Sequence, residues 1–274
     1  MAQRPHPTAI PALLLAAGRG ERMRPLTDTT PKPLLQVQGK PLLQWHLEAL
    51  SRVGCESALI NTAWLGEQIE ARFGSRFDAP PGTIADITNT TTGSITAPIA
   101  LHYSHEGRDF GAALETAGGI VRALPLLAEV FWVAAGDVFA PDFVFAPEAV
   151  AHFKASPQLA HIWLVPNPDH NPGGDFGLSA EGLALNLPKP APGAAQPPRY
   201  TFSTIALYKR AFFESAWCSI PAGNPAGVQA PLAPMLRAAM DASLVSAALY
   251  TGRWTDVGTP ERLQQLNSDP RQQP

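Results

Sequence analysis

A cluster of basic side chains lies directly behind the first apolar run of the chain. The segment LLLAAGRGERMRPLTDTTPKPL, residues 13–34, holds two glycines, three prolines and four basic residues: Arg19, Arg22, Arg24 and Lys32. Glycines behind a strand let backbone N–H groups approach an anion, and nearby cations neutralise its charge. The pattern is not GxGxxG, because the third glycine is missing, and Lys32 does not belong to a Walker A loop. The segment favours a local phosphate site, with a solvated basic loop as the alternative.

Two aspartates follow apolar or aromatic runs further along the chain. Asp137 lies in VAAGDVF and Asp256 lies in RWTDVGTP. Each position is the expected carboxyl end of a strand, which is where open α/β sheets bind ligands. Mg²⁺ takes a few carboxylates and fills its other positions with phosphate and water oxygens. Both aspartates are therefore candidate Mg²⁺ ligands, and a turn or a helix cap is the alternative for each one taken alone.

The elements that would position these residues alternate between strand and helix. AIPALLLAAG is a continuous apolar run ending in glycine, as in a strand buried on both faces, and PLLQWHLEALSRVG places leucines at helical spacing. Further strands are predicted in SALINTAW, EVFWVAAGDV, LAHIWLVPN, YTFSTIALY and LVSAALYTGRWTDVG, and further helices in LGEQIEARFG, TAGGIVRALPLL, PLAPMLRAAMDAS and PERLQQLN. The alternation predicts a mostly parallel sheet covered by helices on both faces, which is a three-layer α/β/α arrangement.

Two stretches interrupt this alternation. Residues 78–102, rich in Thr, Pro and Gly, predict an extended hairpin or insertion, and residues 188–198 predict a proline-rich exposed loop. Neither stretch is a convincing linker, so we predict a single domain over residues 1–274. Hexapeptide repeats, which would indicate a C-terminal β-helix domain, are not found in the sequence.

Composition narrows the class of protein. With 45% hydrophobic residues, 16% charged residues and a net charge of −3, the 274-residue chain is typical of a globular protein without a broad electrostatic footprint for nucleic acid or membrane. Cys55 and Cys218 lack the spacing of a zinc site or a disulfide framework. Pro11 interrupts an N-terminal apolar stretch that is too short for a signal peptide, and no run reaches the roughly 20 apolar residues of a membrane helix. We expect a cytoplasmic protein.

The opening segment resembles the signature of the sugar-1-phosphate nucleotidyltransferases. That signature runs Gly-x-Gly-x-Arg, Pro-Leu-Thr and Pro-Lys-Pro, which correspond here to residues 18–22, 25–27 and 31–33. The resemblance implies a nucleotide-binding three-layer α/β/α fold of Rossmann-like kind and an Mg²⁺-dependent reaction. In that reaction a sugar-1-phosphate oxygen attacks the α-phosphorus of a nucleoside triphosphate and pyrophosphate leaves. Such a reaction depends on positioning and charge neutralisation.

The resemblance also implies residue roles. Arg22 and Lys32 would be catalytic, and Asp137 and Asp256 would be the metal ligands. The nucleotide-binding residues would be Ala17, Gly18, Arg19, Gly20, Glu21, Arg22, Asn61 and Gly111. The sugar-phosphate-binding residues would be Lys32, Glu115, Gly119, Asn167, Asp175 and Ser203.

Further segments narrow the branch of the family. NTAWLGEQI, LETAGGI, NPDHNPGGDFGL, YTFSTIALY and GRWTDVGTPERL resemble most the bacterial branch that uses UTP and N-acetyl-α-muramate 1-phosphate in cell-wall recycling. The alternatives are a mannose-1-phosphate guanylyltransferase, another sugar-1-phosphate nucleotidyltransferase, and a non-catalytic regulatory subunit that binds sugar nucleotides. Ala135 is a departure, since relatives often carry Asn before the Gly-Asp pair. We expect small-molecule partners, no nucleic acid or membrane partner, and a monomer.

Overall fold

The structure is a computed structural model that describes residues 9–80, 97–188, 197–214 and 216–268. The strands are β1 (Ile10–Ala16), β2 (Gln36–Val37), β3 (Lys40–Pro41), β4 (Ser57–Thr62), β5 (Arg76–Phe77), β6 (Ile99–His105), β7 (Leu127–Ala135), β8 (Val138–Phe139), β9 (Ala160–Val165), β10 (Phe176–Leu178), β11 (Ala184–Leu185), β12 (Arg199–Lys209), β13 (Val245–Leu249) and β14 (Thr255–Asp256). The helices are α1 (Leu26–Thr29), α2 (Leu42–Arg52), α3 (Gly66–Phe73), α4 (Glu106–Phe110), α5 (Glu115–Ala123), α6 (Pro147–Ala155), α7 (Ala233–Asp241) and α8 (Pro260–Ser268).

One large sheet forms the centre of the molecule. Its strand order is β11-β10-β12-β7-β1-β4-β6-β5, and β9 pairs with both β12 and β13. The four central strands, β7, β1, β4 and β6, run parallel, whereas β12 joins β7 in the antiparallel direction. The chain leaves β1 toward β4 and leaves β7 toward β12, so the sheet has a topological switch point at the carboxyl ends of β1 and β7. Open α/β sheets bind ligands at such a point.

Helices cover both faces of the sheet because alternate residues of β1 point into two separate cores. Leu13 packs in one core with residues of α5 and α7, and Leu14 packs in the other with residues of α2, α3 and α6. A smaller third cluster joins α8 to the segment after β1 through Met23, Trp45 and Leu266. The predicted three-layer α/β fold is confirmed.

The structure adds detail to the predicted element boundaries. α4 and α6 were not predicted, and LVSAALYTGRWTDVG forms two separate short strands, β13 and β14. The last residues of the predicted insertion belong to β6, while residues 81–96 of the insertion and 189–196 of the proline-rich loop lie outside the described residues. Within the described ranges, every helix is too short or too polar to cross a lipid bilayer.

Candidate active site

Two adjoining clefts open at the switch point. The first, here called the loop cleft, measures about 220 Å³ and is lined by Leu15, Ala16, Ala17, Gly18, Lys32, Pro33, Asn61, Ala113, Glu115, Thr116, Ala135 and Asp137. The second, here called the sheet cleft, measures about 580 Å³ and is lined by Leu15, Glu115, Thr116, Val133, Ala135, Asp175, Phe176, Phe202, Thr204, Tyr208, Pro231, Leu232, Ala233, Leu236 and Arg237. Because four residues line both clefts, a ligand in one would lie next to a ligand in the other.

The Lys32 side chain lines the loop cleft and is nearly buried. Its Nζ forms an ion pair with Oδ2 of Asp137, so two residues 105 positions apart meet at the end of β7. The Lys32 stem packs across Gly20, where an added Cβ would lie 3.2 Å from Lys32 Cδ. Gly20 also has a φ of 69°, a left-handed conformation that favours glycine. Gly20 is therefore required both by the backbone of the loop and by the path of the lysine.

Gly18 differs from Gly20, because nothing in the fold requires a glycine there. An added Cβ at Gly18 would meet no atom within 4 Å, and Gly18 is not among the residues with positive φ. The neighbouring Ala17 is buried and also lines the cleft. Exposed backbone beside a lysine at a strand end is suited to bind an anion through N–H groups.

The remaining charges of the opening segment have different surroundings. The Arg19 guanidinium lies 3.7 Å from the ring centroid of Trp64 and its Nε is 2.8 Å from Oε1 of Glu21. Arg24 Nε lies 3.0 Å from Oδ1 of Asp28. Arg22 is exposed and forms no ion pair with any residue in the described part of the chain. The free charge of Arg22 is thus available to a ligand, although its side chain does not line either cleft in this conformation.

A buried polar network supports the loop cleft from behind. The Asn61 Oδ1 accepts a hydrogen bond from Ala16 N at 2.7 Å, and its Nδ2 donates to Oε1 of Glu106 at 2.7 Å. Oε2 of Glu106 accepts a bond from Leu114 N at 2.7 Å. An added Cβ at Gly119 would lie 2.5 Å from Glu106 Oε1, so the missing side chain at this position leaves room for the network. Burial raises the pKa of Glu106 and outweighs these hydrogen bonds.

The start of α5 lies between the two clefts. Glu115 lines both of them and has a φ of 58°, a conformation that is costly for a residue with a side chain and is common at ligand sites. Gly111 ends α4 with a φ of 78° and is exposed, but it does not line either cleft. Among these three predicted contacts, Glu115 is therefore placed at the clefts, whereas Gly111 and Gly119 are placed beside or behind them.

The two candidate metal ligands are neighbours in the structure. Asp256 of β14 pairs with Val138 of β8, and Val257 N donates to Asp137 O at 3.0 Å. The Asp256 carboxylate is 2.6 Å from Nη1 of Arg262 and 2.7 Å from Nε2 of His170. Two carboxylates on adjacent backbone segments are a donor set that fits a hard cation, which would complete its shell with ligand and water oxygens. Among the described residues there is no group of three or more acidic, His or Cys ligands at metal-binding spacing.

A buried histidine lies behind the turn that carries Asp137. Burial lowers the pKa of His46 to about 4, outweighing its hydrogen bonds to the backbone of Val138 and Ala135 and the charge of Asp137. His46 is therefore neutral at pH 7, and its ring stacks edge to face with Phe145 at 6.3 Å. The turn that carries Asp137 therefore packs against a neutral imidazole.

The loop after β9 places two predicted sugar contacts differently. The Asp175 side chain lines the sheet cleft while its Oδ2 accepts a bond from Phe202 N at 2.9 Å. The Asn167 side chain is engaged within the loop, since Nδ2 donates to Arg199 O at 3.0 Å and Oδ1 accepts from the Thr201 hydroxyl at 3.0 Å. Asn167 therefore shapes the loop, and Asp175 reaches the cleft.

Ser203 is fully buried, and its hydroxyl accepts a hydrogen bond from Ile205 N at 3.1 Å. The residue that lines the sheet cleft is the next one, Thr204, whose φ is 62°. The register of β12 against β9 shifts between Phe202 and Ala206, which marks an irregularity in the strand. Such a bulge re-aims side chains, so Thr204 lines the sheet cleft at this point of β12 while Ser203 lies behind it.

Several residues at the clefts were not found from the sequence. Glu106 directly follows β6, and an acidic residue at a strand end was the available signal. Arg237 on α7 lines the sheet cleft, but one arginine on a helix carries no sequence signal of its own. His170, in the turn after β9, contacts Asp256.

Comparisons with known proteins identify the family. The chain is 42% identical over 94% of its length, and over 96% of the relative, to an N-acetylmuramate alpha-1-phosphate uridylyltransferase of Neisseria meningitidis. It is 29% identical over 76% of its length, and 87% of the relative, to the enzyme of that name from Caulobacter vibrioides. In fold it matches a candidate glucose-1-phosphate thymidylyltransferase from Bacillus anthracis, solved with sucrose, at a TM-score of 0.69 and 19% identity over 95% of this chain and 94% of the other. Because the sequence model described as nucleotidyl transferase matches residues 11–273, the chain belongs to the nucleotidyl transferase family.

Proposed function

We propose that this protein transfers the UMP group of UTP to N-acetyl-α-muramate 1-phosphate, giving UDP-N-acetylmuramate and pyrophosphate in peptidoglycan recycling. The observation that carries the proposal is the ion pair of the nearly buried Lys32 with Asp137 beside the open backbone of Gly18. That geometry fits phosphoryl transfer, and the choice of substrates follows the name of the relative that is 42% identical.

The reaction forms a bond between a sugar-phosphate oxygen and the α-phosphorus of UTP while the bond to the pyrophosphate oxygen breaks. Two anions must approach each other, so catalysis requires cations at the reacting phosphates and at the leaving group. In our proposal, the Lys32 ammonium lies between the attacking phosphate and the α-phosphate, since Lys32 lines the loop cleft beside Glu115 and Thr116, which line both clefts. Arg22, exposed and without an ion pair among the described residues, turns toward the departing pyrophosphate.

The backbone of residues 17–21 would bind the β- and γ-phosphates through N–H groups, and Gly18 gives them room. The Asn61–Glu106 network would position this backbone rather than touch the nucleotide, because both ends of the Asn61 amide are already hydrogen-bonded. The Arg19 guanidinium stacked on Trp64 would stabilise the loop from the outside.

Enzymes of this family generally use a divalent metal ion. We propose that Asp137 and Asp256 hold Mg²⁺, because they lie on adjacent backbone segments, Asp137 just after β7 and Asp256 on β14. When bound, the ion would supply positive charge to the phosphate oxygens. Lys32 at Asp137 and Arg262 at Asp256 orient these carboxylates.

The sugar would occupy the sheet cleft next to the reacting phosphate. Glu115 and Asp175 supply oxygen acceptors for sugar hydroxyls there, and Thr204 takes the place predicted for Ser203. The apolar walls suit the faces of a sugar ring and the methyl of an acetyl group. We also propose that the chain is a single domain and a monomer. It would act in the cytoplasm, where UTP is available.

The decisive test is a matrix of UTP, GTP, CTP and dTTP against the 1-phosphates of N-acetylmuramate, N-acetylglucosamine, glucose and mannose, scored by pyrophosphate release with Mg²⁺. We expect the highest kcat/KM for UTP with N-acetyl-α-muramate 1-phosphate. A preference for GTP and mannose 1-phosphate would establish the guanylyltransferase alternative. No turnover with any pair, together with measurable binding of a sugar nucleotide, would establish the regulatory subunit.

A further inference from the structure

The sheet cleft combines one positive charge with two carboxylates, Glu115 and Asp175, and mostly apolar walls. Among the described residues that line it, Arg237 is the only cation, and most of the others are aliphatic or aromatic. The loop cleft has its own cation, Lys32, which faces Asp137. A substrate with two separate anionic groups could therefore direct each one to a different cleft.

The Arg237 guanidinium is held in place without being neutralised. Its Nη1 donates to Oδ1 of Asn186 at 2.8 Å, and its guanidinium carbon lies 5.0 Å from the ring centroid of Phe176. Asn186 in turn donates to both carboxylate oxygens of Asp241, at 3.0 and 3.1 Å. The neutral amide of Asn186 thus separates Arg237 from the carboxylate of Asp241. Arg237 forms no ion pair within the described part of the chain. Its charge is oriented and available.

We infer that Arg237 binds the carboxylate of the sugar's lactyl ether and thereby selects N-acetylmuramate 1-phosphate over the neutral N-acetylglucosamine 1-phosphate. This inference rests on the proposed function. The two sugars differ in the lactyl group alone, which adds one carboxylate and one methyl. A planar guanidinium matches a carboxylate with two parallel hydrogen bonds, and the apolar walls strengthen the attraction by excluding water. Phe202, Leu232 and Leu236 offer contacts to the methyl groups.

The test compares kcat/KM for both sugars in the wild type, Arg237→Gln and Arg237→Lys, with UTP saturating. Arg237→Gln is expected to lower kcat/KM for N-acetylmuramate 1-phosphate about 10- to 100-fold, as for the loss of a charged hydrogen-bonded pair. The value for N-acetylglucosamine 1-phosphate should stay within about threefold, since no carboxylate is lost there. Arg237→Lys should recover part of the loss, because the charge remains but the two-point geometry does not.

A substrate analogue makes the same comparison from the ligand side. The lactamide form of N-acetylmuramate 1-phosphate keeps the shape of the substrate and removes the charge. Wild-type enzyme should lose about the same factor with the amide as Arg237→Gln loses with the acid, and Arg237→Gln should lose little more when given the amide. Independent, multiplying losses would overturn the inference, because they would mean that arginine and carboxylate do not contact each other.

Arg72→Gln is the matched control. Arg72 on α3 has the same kinds of contact, with Nη2 3.4 Å from Oε1 of Gln44 and the guanidinium 5.5 Å from the Phe73 ring, but it lines neither cleft. Its ratio of kcat/KM values should equal that of the wild type. If Arg237→Gln lowered kcat/KM equally for both sugar phosphates, the role of Arg237 would be structural. That result would overturn this inference and leave the proposed function standing. Wild-type enzyme that prefers a neutral sugar would overturn the proposed function and the inference with it.

Discussion

The loop cleft and the sheet cleft adjoin, but they are built in different ways. The loop cleft takes half of its lining from two short segments, residues 15–18 and 32–33, and presents backbone, a lysine and an aspartate. The sheet cleft is lined by residues drawn from the whole length between positions 15 and 237, and most of them are apolar. In our proposal the difference separates two tasks: phosphate chemistry would depend on a contiguous loop, whereas recognition of the sugar would depend on the packing of distant elements.

The two clefts are coupled through one short segment. Glu115 and Thr116 line both, and the amide just before them, Leu114 N, is fixed by Glu106. Glu106 is also bonded to Asn61, which fixes Ala16 at the end of β1. This network connects the loop that would bind UTP with the helix that would face the sugar. Variants that affect one cleft alone therefore provide the clearest tests of whether the two clefts bind different substrates.

The largest effect is expected from Lys32→Met. Removing a cation from the reacting phosphates should lower kcat about 10²- to 10³-fold while the fold is retained, measured by pyrophosphate release and circular dichroism. Lys40→Met is the matched control, since Lys40 Nζ pairs with the fully buried Glu48 at 2.8 Å outside both clefts. It should lower the free energy of unfolding by about 1–3 kcal/mol and leave kcat within about twofold. A normal kcat in Lys32→Met would show that the lysine of the loop cleft takes no part in the chemical step.

Gly18→Ala tests whether the space beside Gly18 belongs to the triphosphate. The added methyl meets no atom of the described residues within 4 Å, so the free energy of unfolding should change by less than about 0.5 kcal/mol. Displacing a bound phosphate should lower kcat/KM for UTP about 10²-fold. Gly20→Ala provides the contrast, because its φ of 69° should make the variant less stable by about 1 kcal/mol or more. Unchanged UTP kinetics in Gly18→Ala would place the triphosphate elsewhere.

Asp175→Ala addresses the sheet cleft alone. Losing a carboxylate contact to the sugar should raise KM for the sugar phosphate about tenfold and leave KM for UTP unchanged. Asp169→Ala, an exposed residue of the same loop, is the control and should match the wild type. If Asp175→Ala raised both KM values equally, the two clefts would act as one site rather than two.

The smallest effect concerns acid stability near the Asp137 turn. His46 titrates at about pH 4 in the folded protein but near 6.5 when unfolded, so the unfolded chain binds more protons between these values. The free energy of unfolding must therefore fall as pH is lowered from 6.5 to 4, by up to about 1.4 kcal/mol per pH unit for this histidine. His161, whose pKa burial also lowers to about 4, contributes in the same direction from β9.

His46→Gln should remove one of these two contributions, and urea unfolding at pH 7 and pH 5 measures it. The exposed His102→Gln variant should keep the full pH dependence of the wild type. Identical pH dependence in His46→Gln and wild type would show that the buried ring beneath the loop cleft does not titrate as described.

Much of this molecule could be predicted from its sequence because the relevant residues are close together in the chain. The alternation of apolar runs and helical periodicity predicted the α/β fold, and the contiguous signature of residues 18–33 identified the family, both of which are confirmed. Asp137 and Asp256 were placed at strand ends by the apolar runs before them, and the structure makes them neighbours. The site roles themselves stay predictions until the variants above are measured.

Tertiary structure decided what depends on contacts between distant segments. No local pattern shows that Lys32 meets Asp137, that Asn61 and Gly119 share a buried site with Glu106, or that Arg237 faces the sheet cleft. Thr204 rather than Ser203 lines the sheet cleft because an irregularity in β12 alters the alternation of its side chains. Sequence alone thus determined the reaction class, since phosphate binding uses a short loop with fixed spacing. Packing determined the shape and charge of the sheet cleft, because its walls come from elements that meet only after folding.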